Sequence, residues 1–397
     1  CVDDGRRVAD AHRVRAITAR RFTHAELWRA IDPVLASPSL RTEEIGRSVL
    51  DRPIRAVTFG EGGTTVLLWS QMHGDEATAT MALADIITFF ARADGDPLRE
   101  RLRRALTITM VPMLNPDGAE LFQRENAYGV DINRDARRLA TPEARALKAL
   151  RERVRPDFGF NLHDQGARTL AGARGPQVGI ALLAPPTGER GGYDPTRQRA
   201  RLVAATIARV VQHEIPGRVA KYDDAFNPRA FGDLMQAWGT STVLIESGAL
   251  PDDPEKQRLR TINVIAILSA LDAIATGSYR TASESAYDAL PYNRSGASDM
   301  VVRGGQVVLE GQPPVPLDFA LSYEDAVSRT GLRLRDVGDL GDVVALDTVD
   351  ARGLFIHPEP PMLAGGGRVF RLGSPAALTL RRGAGRESEV VRRIGAP

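Results

Sequence analysis

Leu67-Leu68-Trp69-Ser70-Gln71-Met72-His73-Gly74-Asp75-Glu76 is the stretch on which the fold of this chain turns. Its first half is apolar on both alternating faces, as a strand buried on both sides must be. Helix-type spacing follows at once, from Ala77 to Arg92. A strand running straight into a helix is half of a βαβ unit. An imidazole and a carboxylate three residues apart at its tip can turn toward one divalent cation.

The same alternation extends outward. Strand-type runs occupy Ala56 to Phe59, Leu106 to Met113, Phe158 to Leu162, Val178 to Leu183 and Thr242 to Glu246. Helical patterns fill Pro142 to Val154, Pro195 to Val211 and Pro254 to Ala275, with a short amphipathic helix at His24 to Leu35. Strands too apolar to have a wet face, separated by helices, imply an α/β domain with a mainly parallel sheet covered on both sides. Residues 1–22, rich in Arg and Asp, read as a flexible lead-in, and 23–277 as the main domain. The polar stretch 278–298 reads as a linker, and the short runs at Met300 to Leu309, Val343 to Leu346 and Leu354 to Ile356 as a small all-β domain over 299–397.

Composition bounds the rest. The 397 residues are 43% hydrophobic and 26% charged with a formal charge of +2, which excludes a disordered chain and gives no field to draw a nucleic acid. Three cations are lysines and 49 are arginines, a coding bias before it is a binding surface. The single cysteine forbids an internal disulfide framework. Standing first, Cys1 is either a trimmed start or the lipid-carrying residue of a mature bacterial lipoprotein; the second reading places the protein in the periplasm or cell envelope, the first leaves the cytoplasm open. The greasiest stretch, Thr261 to Gly277, is broken by Asn263 and Asp272, so no transmembrane segment is expected.

A catalytic metal needs a third protein ligand besides His73 and Glu76. The strand Phe158 to Leu162 delivers His163, and the carboxyl ends of parallel strands gather on one edge, so His163 can reach the same ion from 90 residues away. One His-x-x-Glu arises often by chance at helix starts, where glutamate suits the dipole. Its company strengthens it: Asn115-Pro116-Asp117-Gly118, Arg124, Asp131-Ile132-Asn133-Arg134, and Glu246 at the end of Thr242-Val243-Leu244-Ile245.

In this order the motifs resemble the zinc carboxypeptidase family, the carboxypeptidase A-like metallopeptidases, over roughly residues 43 to 276. The resemblance implies a mixed eight-stranded sheet with helices on both faces. It implies Zn2+ held by His73, Glu76 and His163, Glu246 as the general base, and Arg124 stabilising the oxyanion of a tetrahedral intermediate. Asn133 and Arg134 would grip the free C-terminal carboxylate of a peptide or peptide-like amide, and Asp131 would orient His73. The family also carries a tyrosine on a loop ahead of the catalytic glutamate; Tyr222, 24 residues before Glu246, is placed there, with Tyr193 or no tyrosine at all as the alternatives. Asp164 and Gln165 after the ligand histidine depart from the pattern, and Asp164 bears on substrate choice or caps the strand. Residues Ser298 to Val308, Val337 to Leu340 and Asp347 to Leu354 resemble the β-sandwich that flanks the amidohydrolase barrel, but His357-Pro358-Glu359-Pro360 stands where that superfamily has His-x-His, so this part reads as an accessory module without chemistry. Two other functions stay open: an N-acyl amino acid or γ-linked amide hydrolase of the aspartoacylase and desuccinylase type, and a catalytically silent binder of peptide termini.

Overall fold

The computed structural model describes residues 2–189, 191, 194–364 and 369–395, so Cys1 and Tyr193 lie outside the described residues. The chain divides into two compact units, Cys1–Gln165 with Val178–Asn293 and Gly166–Gln177 with Arg294–Pro397.

The larger unit is built on one mixed sheet of eight strands: β1 (Leu40–Arg47), β2 (Pro53–Phe59), β3 (Thr64–Ser70), β4 (Leu106–Val111), β5 (Phe158–Asp164), β6 (Ile180–Leu183), β7 (Val219–Lys221) and β8 (Ser241–Ser247). Their spatial order is β1-β2-β4-β3-β5-β8-β6-β7. The middle four, β4, β3, β5 and β8, run parallel. Strands β2 and β1 add antiparallel on one side, and β6 adds antiparallel on the other.

The apolar run of β3 explains the two-sided cover. Val66 and Leu68 enter one core while Leu67 and Trp69, pointing the opposite way, enter another, and all four are fully buried. The first core takes α1 (Val2–Ala11), α2 (His24–Leu35), α3 (Thr78–Arg92), α4 (Pro97–Ala105), α7 (Pro195–Glu214) and α9 (Gln257–Thr276); the second takes α6 (Pro142–Val154) and α8 (Phe231–Ala237). Helix α9 is long and apolar enough to cross a bilayer by length and composition, yet 78% of its most apolar window is buried inside the unit. Two of its polar side chains find partners there: Asn263 Nδ2 donates to Ser247 Oγ at 2.8 Å, and Asp272 pairs with Arg101 at 2.6 Å.

Two expected boundaries are corrected. Residues 2–22 are no flexible lead-in: α1 buries Val8 and Ala9, and Val14, Ile17 and Phe22 continue into the same core. Gly5 is needed where α1 meets α9, since a Cβ there would lie 2.8 Å from Ile265 Cα. Arg260, fully buried, donates to the carbonyls of Val14 (3.1 Å) and Ile17 (2.6 Å) while pairing with Asp85 at 2.5 Å, and Asp85 accepts from Val14 N–H at 2.7 Å. The charges that suggested mobility point outward, as Arg6 does to Glu214 and Arg7 to Asp96. Nor is 278–298 a free linker. Tyr279, Tyr287 and Leu290 pack into the main core, and the Tyr287 hydroxyl accepts from Ala184 N–H at 3.1 Å, so the larger unit extends to Asn293.

The smaller unit is β-rich. A four-stranded sheet (Thr330–Gly338, Asp318–Asp325, Ser298–Arg303, Ala345–Asp350) and a five-stranded one (Val315–Pro316, Gln306–Val307, Phe355–Pro358, Ala377–Arg381, Val390–Gly395) share a core that includes Val302, Phe319, Leu334, Ile356 and Leu380. Residues 166–177 join it, with Arg168 paired to buried Asp299 at 2.7 Å.

Candidate functional site

Strand β3 ends at Ser70, and Gln71 turns the chain with φ +51° in the left-handed region. The turn is held from β4's side: Leu114 N–H donates to Ser70 O at 3.1 Å and Asn115 N–H to Gln71 O at 3.0 Å. Gly74 must be glycine, because a Cβ there would sit 2.0 Å from the carbonyl carbon of Gly118. The Asn-Pro-Asp-Gly motif is therefore scaffold. Asn115 caps α5 (Pro116–Leu121) by accepting from Gly118 N–H at 2.9 Å, and Asp117 accepts from Ser48 Oγ, Leu50 N–H and Arg52.

That turn brings His73 and Glu76 to the sheet edge where β5 ends in His163. Potential ligand atoms of the three residues all lie within 4.8 Å of one another. His73 Nδ1 stands 2.8 Å from Glu76 Oε1, His163 Nδ1 stands 2.8 Å from Glu76 Oε2, and the two Nδ1 atoms are 3.2 Å apart. His73 Nε2 faces Asp131 Oδ1 at 2.9 Å, which fixes the proton on Nε2 and leaves Nδ1 with a lone pair turned inward. Two inward ring nitrogens and a carboxylate form a donor set that one cation satisfies together, whereas a proton bridges only one pair at a time. The set fits a divalent metal.

The electrostatics follow from burial and these contacts. Burial opposes charge on His73, but the Glu76 carboxylate and the hydrogen bonds to Asp131 and Glu76 outweigh it and raise its pKa to about 9. His163 lacks an equivalent of Asp131, and burial lowers its pKa. Burial works against the Glu76 and Asp131 carboxylates too, yet the imidazoles and, for Asp131, Arg124 hold both well below the usual range. Arg124 binds Asp131 Oδ2 through Nε (3.1 Å) and Nη2 (2.9 Å) and reaches Glu76 Oε1 through Nη1 at 3.3 Å. The loop carrying Arg124 and Asp131 is pinned by Asn126, whose Nδ2 donates to fully buried Glu143 at 3.0 Å.

The parallel pairing of β5 with β8 sets Glu246 directly beside His163. Among the described residues no hydrogen-bond partner of its carboxylate is found. Burial first, then the Glu76 and Asp164 charges, push its pKa well above the glutamate range, while Arg124 and Lys256 pull the other way. Asn133 Oδ1 accepts from Phe231 N–H at 2.9 Å at the start of α8, leaving its Nδ2 without a described partner. Arg134 bonds only the Asn133 carbonyl, at 2.7 Å, and no described carboxylate pairs with it. Tyr222, half-buried, donates to Gln165 Oε1 at 2.9 Å; burial and then the Glu246 and Glu76 charges drive its phenol pKa far up, so it stays a donor.

The structure thus brings His73, Glu76, His163, Asp131, Arg124, Glu246 and Tyr222 to one place. Asp164, beside the ligand histidine, is engaged within the protein. Its Oδ2 accepts from Thr78 Oγ1 at 2.6 Å and from Lys256 Nζ at 2.8 Å, an ion pair behind the ligand histidine. In the sequence no role attaches to Lys256, Asn126 and Glu143, and none to Gln165 beyond its departure from the family pattern. One cue existed for the first: Lys256 is the only buried lysine in a chain that otherwise spends arginine.

The sheet order is that of a carboxypeptidase-like α/β fold. The zinc carboxypeptidase family model matches residues 32–167. Carboxypeptidase 2 of Trichophyton tonsurans is 29% identical over 119 residues, 30% of this chain and 21% of the relative; that of Trichophyton rubrum is 28% identical over 99 residues, 24% and 18%. The matches therefore span about a fifth of the length of these curated relatives. In fold the chain is similar to the Pseudomonas aeruginosa metallo-carboxypeptidase in complex with (2-guanidinoethylmercapto)succinic acid, at TM-score 0.51, 18% identity, and coverage of 66% of this chain and 70% of that one. It is similar also to bovine thrombin-activatable fibrinolysis inhibitor, at TM-score 0.52, 14% identity, and coverage of 65% and 98%. These likenesses are to the mixed sheet with its helices, the fold expected from the strand pattern.

Proposed function

We propose that the larger unit is a zinc-dependent carboxypeptidase that removes the C-terminal residue of a peptide or peptide-like amide bearing a free carboxylate. One observation carries the reading: Glu246, desolvated and with no hydrogen-bond partner among the described residues, sits one strand from His163 in a His73–Glu76–His163 cluster. A site that only held a terminus would have no use for it. Zinc held by the three ligands supplies Lewis acidity, polarising a carbonyl and acidifying water.

The chain's own residues do the rest. Glu246 takes a proton from the attacking water and returns it to the leaving amine. Arg124 lies against Glu76 at the cluster's edge, 41% exposed, where its guanidinium can donate to a developing oxyanion. Arg134 and the free Nδ2 of Asn133 form a planar set of donors for the substrate's terminal carboxylate. Asp131 keeps His73 in the tautomer that a metal requires. Tyr222 offers its hydroxyl near Glu246 and Glu76, whose charges it feels.

A mass-spectrometric screen for residue release from peptides with free and amidated C-termini, with and without chelator, tests the reading. Release confined to free termini, abolished by chelation and restored by zinc, is expected. Activity surviving complete demetallation, or equal cleavage of amidated peptides, overturns it.

A further inference from the structure

Tyr222 is not carried on a free loop. It directly follows β7, its own N–H donates to Leu182 O on β6 at 3.0 Å, and residues 291–292 run alongside, with Lys221 N–H donating to Pro291 O at 2.9 Å and Lys221 bridging Tyr292. The ring is tied at its other end. The Tyr222 hydroxyl and Asn293 Nδ2 converge on one acceptor, Gln165 Oε1, at 2.9 and 3.0 Å. Gln165 is itself fixed, its N–H donating at 2.8 Å to Ser247 O, the residue after Glu246. It lies two residues past His163, which is the residue level with Glu246, so the tyrosine is tied to the strand end that carries the cluster.

Resting on the carboxypeptidase reading, we propose that Gln165 and Asn293 are positioning residues that hold the Tyr222 hydroxyl in the site before substrate arrives. The hydroxyl is then preset in place, its proton held by Gln165 Oε1 until substrate offers an acceptor, and the two amides act on substrate solely through it. Neither touches the reacting atoms, and loss of either leaves the metal ligands in place.

The test compares Gln165→Met, Asn293→Leu, Tyr222→Phe and their pairwise combinations in the full chain, after checking that zinc content matches the parent. Removing one neutral hydrogen bond from uniform substrate binding raises KM about 2- to 12-fold with kcat nearly kept. Each single variant is expected to show that pattern, and Gln165→Met with Tyr222→Phe is expected to be no worse than Tyr222→Phe alone. Nitration of Tyr222 by tetranitromethane, read by peptide mass spectrometry, supplies a signal independent of turnover: slow in the parent and several-fold faster in Gln165→Met and Asn293→Leu. Additive effects in the double variant, or an unchanged nitration rate in both amide variants, overturn the proposal. If no peptide is cleaved by any variant, the carboxypeptidase reading fails while nitration still decides whether the amides hold the ring.

Discussion

The two sides of the site are built in opposite ways. On the metal side, His73, Glu76, Asp131 and Arg124 are bound to one another by contacts of 2.8 to 3.3 Å. On the substrate side, Glu246, the Nδ2 of Asn133 and the Arg134 guanidinium have no described acidic or basic partner, although the chain holds 50 carboxylates and 52 cations that could have supplied one. Buried polar groups are normally satisfied, so the unspent ones mark where something else binds. The saturated side holds a cation, and the unsaturated side meets a substrate.

If that division is right, substitutions on the open side should change turnover or substrate binding and leave the metal alone, while those on the tied side should loosen the metal. The largest effect is expected from Glu246→Gln: a kcat loss of about 10²- to 10⁴-fold with zinc content unchanged, measured by steady-state kinetics alongside elemental analysis. Near-normal kcat would put the base elsewhere. Next comes Arg134→Ala. Loss of a charge-assisted pair of about 1.5 to 3 kcal/mol should raise KM by roughly 10- to 150-fold for substrates with a free α-carboxylate. Equal weakening of amidated analogues would contradict the grip assigned to it.

On the tied side, Asp131→Asn should weaken zinc binding by about 10- to 100-fold in competition with a chelator, because the asparagine no longer fixes the His73 tautomer as an anion does. Unchanged zinc affinity with raised KM would move Asp131 to the substrate side. The smallest effect is one of pH. Glu246 must be ionised to accept a proton, and burial raises its pKa, so kcat/KM should fall as pH drops through a limb lying above the ordinary glutamate range. A limb at ordinary carboxylate pH would mean that Glu246 does not govern it.

Much of this was legible in residues 67–76, 158–163 and 242–246, since an apolar strand that ends in a charged or ionisable side chain has few reasons to do so away from a site. Strand ends on one edge of a parallel sheet then follow from topology alone, which is why His163 could be placed with His73 across 90 residues. The misses have a common physical origin. Residues 2–22 look mobile by composition because Arg and Asp make up nine of the 21, yet a few apolar side chains and one glycine contact suffice once Arg260 and Asp85 anchor the backbone. Gly166–Gln177 leaves the larger unit between β5 and β6, and nothing in its own residues announces the crossing. Gln165 and Asn293 lie 128 positions apart and meet only through the fold, so no local pattern could pair them.

The most direct measurement is anomalous diffraction from crystals grown with zinc, recorded at the zinc absorption edge. The account predicts one peak about 2.0 to 2.1 Å from Nδ1 of both His73 and His163, beside a Glu76 oxygen, with Glu246 outside ligand distance. A zinc-loaded crystal whose only peak lies away from these three residues, or one in which Glu246 is itself a ligand, would contradict it.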